Sequence, residues 1–320
     1  MNGKHITASV LVTGGAGFIG SHLAEYWVKR GKKVIVIDDL SSGQKANLPS
    51  GVEFYEMDLN KNDQLIKIIS THQPKTIYHL AGHSQLRAAL RRPLEDAQSN
   101  IGGTLSLIQA CLKLSDTDRY NPTQIVFSSS SAVFGGLENP PYHQGSEIAV
   151  VSPYGAAKYA AELYWNWYSQ QSGVKVASLR YANVYGPRQS LDGEAGVVAR
   201  FMSLLSEGQP LVIYGDGTHE RDYIYVDDVV AANVAVAEHG CTGVFVVGTG
   251  IPTTTHKLAE LCASLAKKKL NITYQDRSLT EQRRSWLDSS RLTRKTGWQP
   301  VITLEDGLQR TAQWYNDHAT

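Results

Sequence analysis

Charge of one sign is what this sequence most plainly lacks: Lys plus Arg number 31 against 30 Asp plus Glu, a formal net charge of +1. So even a balance offers no basic footprint for nucleic acid or an anionic membrane, and neither partner is expected. Cysteine is scarce too. Cys111, Cys241 and Cys262 are odd in number and far apart, which excludes a disulfide framework and reads as reduced core thiols in a cytoplasmic protein. No apolar run approaches the length of a membrane span. The amino end, Met1-Asn-Gly-Lys-His-Ile-Thr7, leads straight into a strand-like run, so no secretion signal is expected. Repeats, low-complexity tracts and linkers are also missing. The 320 residues therefore suit one large domain or two closely joined ones around a sizeable core.

What is present is a glycine-rich turn between a strand and a helix. Val10-Leu-Val12 is a short apolar run, and helical spacing resumes at Ile19, Leu23, Tyr26 and Trp27. Between them Gly14, Gly17 and Gly20 recur every third residue, and Gly15-x-Gly17-x-x-Gly20 also meets the general dinucleotide pattern. One such glycine makes the tight turn, one lets backbone approach a pyrophosphate, and one lets the helix lie close on the strand. The helix amino end adds unpaired N–H groups and partial positive charge. A second apolar run, Lys33-Val-Ile-Val-Ile-Asp38, ends in an acid at the spacing this pattern requires. Asp38 is suited to accept both adenosine ribose hydroxyls and to repel a 2′-phosphate, which favours NAD over NADP.

Strand-like runs continue at Val52–Tyr55, Thr76–His79, Gln124–Ser128 and Val174–Leu179. Helical patterns lie between them at Ile19–Lys29, Asp63–Thr71, Ala97–Leu114 and Tyr154–Gln171. This alternation predicts an α/β fold, a Rossmann-type doubly wound parallel sheet covered on both faces. After Arg180 the rhythm changes. A helix is predicted near Val197–Glu207, a strand and turn over Val212–Gly217, a helix over Asp227–His239 and a short strand at Gly243–Val247. A further helix runs to about Lys269 and a last one covers Leu304–Asn316. A smaller carboxyl-terminal substrate-binding domain is expected to pack on the carboxyl ends of the strands. The predicted division gives residues 1–182 plus about 226–250 to the NAD-binding part, and about 183–225 plus 251–320 to the substrate part.

Chemistry enters at Ser152-Pro-Tyr-Gly-Ala-Ala-Lys158. Ser152 suits an N-cap and Pro153 the first helical position, so Tyr154 and Lys158 lie four apart on one helix face. A phenol with a pKa of about 10 is a poor base at neutral pH, and an adjacent ammonium stabilises its phenolate. Such a pair is matched to removing an alcohol proton. Before it, Ile125-Val-Phe-Ser-Ser-Ser-Ser131 puts four hydroxyls at a strand's carboxyl end, where ligands of open sheets bind.

Together the glycine loop, the serine run and Tyr154-x-x-x-Lys158 resemble the extended short-chain dehydrogenase/reductase family, and within it the nucleotide-sugar 4-epimerases of the UDP-galactose 4-epimerase type. The resemblance covers nearly the whole chain. It includes Thr13 to His22, Asp38 to Gly43, Asp58-Leu59, His79-Leu-Ala81, Asn100-x-x-Gly-Thr104 and Leu179 to Gln189. Tyr214 to Tyr223 and Val226-Asp-Asp-Val229 extend it.

The resemblance implies that Gly14, Gly17, Phe18, Ile19, Gly20, Asp38, Asp58, Leu59, Leu80 and Ala81 hold NAD, with Tyr154 and Lys158 on its nicotinamide ribose side. It implies Ser130 on the sugar 4-hydroxyl, Asn183 and Arg221 at the diphosphate, and Glu281 on the uridine ribose. Arg188, Val197, Arg277 and Ser285 complete the implied substrate contacts, with Arg284 an alternative to Arg277 as second phosphate arginine. Ser130, Tyr154 and Lys158 are then the catalytic set: Tyr154 takes the 4-hydroxyl proton, hydride passes to NAD, and the 4-keto sugar turns over and is reduced on its other face. Ser285 stands where a tyrosine would restrict the enzyme to unmodified hexoses, so UDP-GlcNAc and UDP-GalNAc are expected substrates beside UDP-glucose and UDP-galactose.

The sequence departs from the family at Phe134 in Val133-Phe-Gly135, at Gln85, and in the stretch Arg277 to Glu281. Family dehydratases and decarboxylases usually carry an acid just after the catalytic serine or threonine; Ser131 and Ala132 supply none. A UDP-glucuronate 4-epimerase is the alternative that has no such need. The family's usual homodimer would pair Ala97–Leu114 with Tyr154–Gln171. His79-x-x-x-His83 straddles a strand end without a third ligand, so no metal is expected. Lys267 to Lys269 reads as a solvated helix end, and Trp165, Trp167 and Tyr168 as packing residues.

Overall fold

The uninterrupted apolar runs become strands buried on both faces. Every residue of Val10–Thr13 (β1) and Val34–Asp38 (β2) is buried in this computed structural model, which describes residues 9–191, 196–276 and 282–318. Glu53–Glu56 (β3), Thr76–His79 (β4), Gln124–Ser130 (β5) and Lys175–Tyr181 (β6) follow. The later strands are Asn183–Tyr185 (β7), Leu211–Tyr214 (β8), Glu220–Tyr225 (β9), Gly243–Val247 (β10), Pro252–Thr254 (β11), Ile272–Gln275 (β12) and Arg284–Ser285 (β13). The helices are Phe18–Lys29 (α1), Asn62–His72 (α2), Leu86–Arg91 (α3), Pro93–Ala97 (α4), Gly103–Asp118 (α5), Pro153–Ser172 (α6), Val197–Ser206 (α7), Val226–Glu238 (α8), Thr255–Leu265 (α9), Ser290–Thr296 (α10) and Leu304–Asp317 (α11).

Seven strands form one parallel sheet in the order β10-β6-β5-β4-β1-β2-β3, a Rossmann-type doubly wound arrangement. Side chains alternate across it. Val10 and Val12 pack with Leu23 and Trp27 of α1 and Val229 of α8, whereas Leu11 packs on the other face with Leu65 of α2, Leu107 of α5 and Trp165 of α6. The order reverses between β1 and β4, so a crevice opens beyond their carboxyl ends.

The second body is stitched from separated segments. β9 pairs with β7, β11 and β13, and β8 pairs with β12. Phe201 and Leu205 of α7, Leu258 and Cys262 of α9, and Leu308 of α11 cover it. Its hub is Asp222, wholly buried, which accepts N–H bonds from Thr249 at 2.9 Å, Gly250 at 3.0 Å and Leu287 at 3.2 Å. One carboxylate thus ties three distant segments together.

Several predicted boundaries shift for identifiable reasons. β5 and β6 run on to Ser130 and Tyr181 because their ladder continues to that pair, overriding the weak strand preference of serine. The helix predicted over 97–114 is broken by a wide π turn at Gln98–Gly102, which carries the buried Asn100. Such turns are frequent at functional sites. Trp165 and Tyr168 are fully buried, but Trp167 is 46% exposed and is not a core packing residue. α9 stops at Leu265, and Lys267 takes a left-handed φ of 53°. Among the described residues no helix is long and apolar enough to cross a membrane.

Candidate active site

The crevice holds a cavity of about 570 Å³, within the roughly 300–1,000 Å³ usual for ligand sites. Its dinucleotide end is local in sequence. Gly14 adopts φ +69°, and a methyl group there would meet the Ala81 backbone nitrogen at 2.6 Å. A side chain at Gly20 would collide with the Gly14 carbonyl, so the bare α-carbon lets α1 close on the turn. Gly17 is the N-cap of α1 with no capping side chain, and no acid occupies the first turn. The amino end therefore stays open to an anion.

Asp38 is buried at the end of β2. Its Oδ2 accepts from Ala16 N and its Oδ1 from Leu40 N, both at 2.9 Å. Burial pushes its pKa up, and these backbone hydrogen bonds oppose the shift. The carboxylate braces the glycine turn and keeps lone pairs for a ribose. Asp58 and Leu59 line the same end, as do Phe18, Ile19, Leu80 and Ala81. The Asp58 side chain accepts from its own turn at Asn60 N, 2.9 Å away. A cradle that side chains would fill, an open helix amino end and an acid at the ribose distance together fit an NAD molecule.

The chemical centre lies where β5 meets α6. Ser152 caps α6 by accepting from Gly155 N at 3.1 Å, which starts the helix so that Tyr154 and Lys158 face the cleft. Ser130 and Tyr154 line the same part of the cavity, and Ser130 Oγ accepts from Ala132 N at 3.1 Å. Lys158 Nζ donates to the Ser128 carbonyl at 3.1 Å and lies 5.8 Å from the Tyr154 ring centroid. Burial dominates both titrations: it pushes Tyr154 up to about 12, against Ser130, and draws Lys158 down to about 8, against Asp96 and Glu162. The lowering of the tyrosine expected from its neighbouring ammonium is not found: the one influence opposing burial is Ser130.

At the far end Asn183, Val197, Arg221 and Ser285 line the cavity. Arg221 donates to the Gln282 carbonyl at 2.6 Å and to the Glu220 and Arg283 carbonyls at 3.0 and 3.2 Å, so it also pins the strand that carries Ser285. Ser285 is buried on β13. Arg277 and Glu281 lie outside the described residues.

Arg188 departs from expectation. After Pro187 it takes a left-handed φ of 67°, which turns its guanidinium to Glu25 and Ser21 of α1 and away from the cavity lining. Arg284, the alternative phosphate arginine, is likewise engaged: it pairs with Glu220 at 2.8 Å and stacks 4.9 Å from the Trp286 ring. His79 cannot be half of a metal pair in this arrangement, since its ring nitrogens meet the Thr13 and Thr104 hydroxyls at 2.8 and 3.0 Å.

The structure adds Gln282 to the cavity lining and sets Asp96 and Asn100 behind it, next to His83 and Gly82. Asn100 Nδ2 donates to the His83 carbonyl at 3.2 Å and to Asp96 Oδ1 at 3.1 Å. Its Oδ1 has no hydrogen-bond partner among the described residues, and a side chain on Gly82 would strike it and come 3.5 Å from Lys158 Nζ. The Asn100-x-x-Gly-Thr104 pattern was the one available signal for it. Gln282 Nε2 reaches the Phe134 and Leu137 carbonyls and the Tyr142 hydroxyl at 2.7–3.0 Å, contacts no local pattern announces.

With this geometry in view, relatives supply independent evidence. A UDP-glucose 4-epimerase of Mycolicibacterium smegmatis is 37% identical over 313 residues, 96% of this chain and 98% of that one. The structure of a UDP-glucose 4-epimerase with UDP-glucose from Thermotoga maritima superposes with a TM-score of 0.92 at 38% identity, covering 98% of this chain and all of the other. A UDP-N-acetylglucosamine 4-epimerase from Methanobrevibacter ruminantium M1, in complex with UDP-N-acetylmuramic acid, gives 0.90 at 34%, covering 97% and 98%. The sequence profile of the NAD dependent epimerase/dehydratase family matches residues 10–248. With that match, the glycine cradle and Asp38, NAD is its cofactor, and the chain belongs to the NAD dependent epimerase/dehydratase family.

Proposed function

We propose that this protein is a UDP-hexose 4-epimerase, an isomerase that keeps NAD bound and also accepts 2-acetamido hexoses. The observation that carries this is Ser130, Tyr154 and Lys158 together on the lining of one cavity, Lys158 held by the Ser128 carbonyl, with Ser131 and Ala132, not carboxylates, next in the chain. Oxidised NAD supplies the reversible hydride acceptor and a positively charged ring. Ser130 orients the sugar 4-hydroxyl, and Tyr154 Oη receives its proton and later returns it. Lys158, held by the Ser128 carbonyl, keeps positive charge beside the phenolate form of Tyr154 that accepts this proton. Keeping water out is part of the work, and the burial of Lys158 supports it.

Residues 1–182 with about 226–250 would serve NAD, and 183–225 with 251–320 the nucleotide sugar. Arg221 and Asn183 would face the diphosphate. Among the described lining residues the side chains able to carry positive charge are His83, Lys158 and Arg221, which favours a neutral hexose over the uronate. Ser285 leaves room for an acetamido group where a tyrosine would not. Leu163, Tyr164 and Trp167 of α6, each more than 40% exposed, support homodimer formation through this helix. The three buried, unbonded cysteines fit a cytoplasmic setting.

The test is incubation of the purified protein with a panel of UDP-sugars, products read by proton NMR. Interconversion of both the plain and the acetamido pairs is expected. Ser285→Tyr should suppress the acetamido pair at least about tenfold while sparing the plain pair, the scale of a steric pocket clash. Turnover of UDP-glucuronate with neither acetamido sugar touched would assign the enzyme to the uronate instead.

A further inference from the structure

Tyr154, Lys158 and Glu162 follow one another at four-residue spacing on α6, so Glu162 lies on the catalytic face one turn below the lysine. It is buried, and so is its partner Arg180 on β6, with both side chains 4% exposed. Arg180 donates from Nε to Oε1 at 2.9 Å and from its NH2 group to Oε2 at 2.6 Å. The Ser129 hydroxyl donates to the same Oε1. Ser129 and Arg180 are direct register partners on β5 and β6, and the Arg180 guanidinium also stacks 5.0 Å from the ring of Phe134, in the turn that follows Ser130.

Stability alone does not account for the pair. A buried ion pair gains little over well-packed apolar residues of similar volume, and here one Arg180 nitrogen, NH1, has no hydrogen-bond partner among the described residues. What the pair does have is position. Strand alternation sends Ser129 to the opposite face from Ser128 and Ser130. A tether on Ser129 therefore fixes the backbone that presents the other two: the Ser128 carbonyl to Lys158, and Ser130 to the cavity that Tyr154 also lines.

We propose that Glu162 and Arg180 are positioning residues: their buried ion pair, fastened to Ser129, sets the carboxyl end of β5 so that Ser130 and the Ser128 carbonyl meet Tyr154 and Lys158. This rests on Ser130, Tyr154 and Lys158 being the reacting groups. Ser129, second of the four serines, is then the anchor between sheet and base.

Two variants of the full-length NAD-bound protein test it. Ser129→Ala cuts the tether and leaves the ion pair intact; Glu162→Met with Arg180→Met removes the charges together, so neither is left buried alone. Each should lower kcat about ten- to a hundredfold, the scale of slight misplacement of reacting groups, with KM for the UDP-sugar within about threefold. Hydrogen exchange of residues 124–134 should quicken in both. Wild-type kcat in Ser129→Ala overturns the proposal even if the double variant fails to fold. A lowered kcat with unchanged exchange also overturns it, since the effect would not act through the strand. Quickened exchange in variants of a wild type that turns over no UDP-sugar would sustain the positioning and remove the epimerase assignment.

Discussion

At its dinucleotide end the cleft is assembled from neighbours in sequence: Gly14, Gly17 and Gly20 within one turn, and Asp38 at the end of the next strand. At the opposite end nothing is adjacent. Arg221 on β9, Ser285 on β13 and Asn183 on β7 come together because Asp222 and the carbonyls of residues 282 and 283 bind the strands to one another. The first end is a motif that folds locally against a preformed sheet. The second exists only when separate segments have met. Changes at the first end should therefore damage one ligand contact cleanly, whereas the second should tolerate the loss of residues that merely look like contacts.

Tyr154→Phe, at the junction of the two ends, carries the largest expected effect. Turnover should fall at least about a hundredfold, the scale of a lost general base, with UDP-sugar affinity little changed in equilibrium titration. Near-normal turnover would move the base elsewhere.

Asp38→Ala tests the local end. NAD should bind about tenfold or more weakly, as expected for losing hydrogen bonds to a charged group, and its preference over NADP should narrow. Unchanged discrimination in a cofactor titration would leave Asp38 as a brace for the glycine turn alone.

Acid should attack the same half through His79. Burial holds its pKa down to about 3 in the folded protein against 6.5 unfolded. The unfolded chain therefore binds a proton that the folded one refuses between those values, so this contribution to stability is present above 6.5 and lost as pH falls toward 3. The slope from one such group is at most about 1.4 kcal/mol per pH unit. His79→Gln should flatten the wild-type decline in denaturant-derived stability across that window; an identical decline would assign it to other groups.

Arg188→Gln should do least. Its guanidinium is committed to Glu25 and Ser21, so KM for the UDP-sugar should stay within about threefold, the worth of a partly exposed ion pair. A tenfold rise would show that the arginine swings into the cleft during turnover.

The sequence by itself determined the parts whose physics is local. Apolar runs of three and four residues, each closed by a polar one before a turn, read as strands buried on both faces, as β1 and β2 are. Gly14 needed a left-handed φ, and Ser152-Pro153 started α6 in the register that aligns Tyr154 with Lys158. Only the tertiary structure decided the rest, because each missing piece depends on contacts or backbone angles that no local pattern announces. Glu162 and Arg180 meet across a helix and a strand, the Asn100 amide turns inward at a π turn, and Arg188 turns outward on its backbone angle. Gln282 reaches carbonyls nearly 150 residues away, at Phe134 and Leu137. Hydrogen bonds to backbone carbonyls carry no side-chain signature at the accepting end. Burial, which moves Tyr154 up and Lys158 down, is likewise a property of the assembled cleft and of no residue in it.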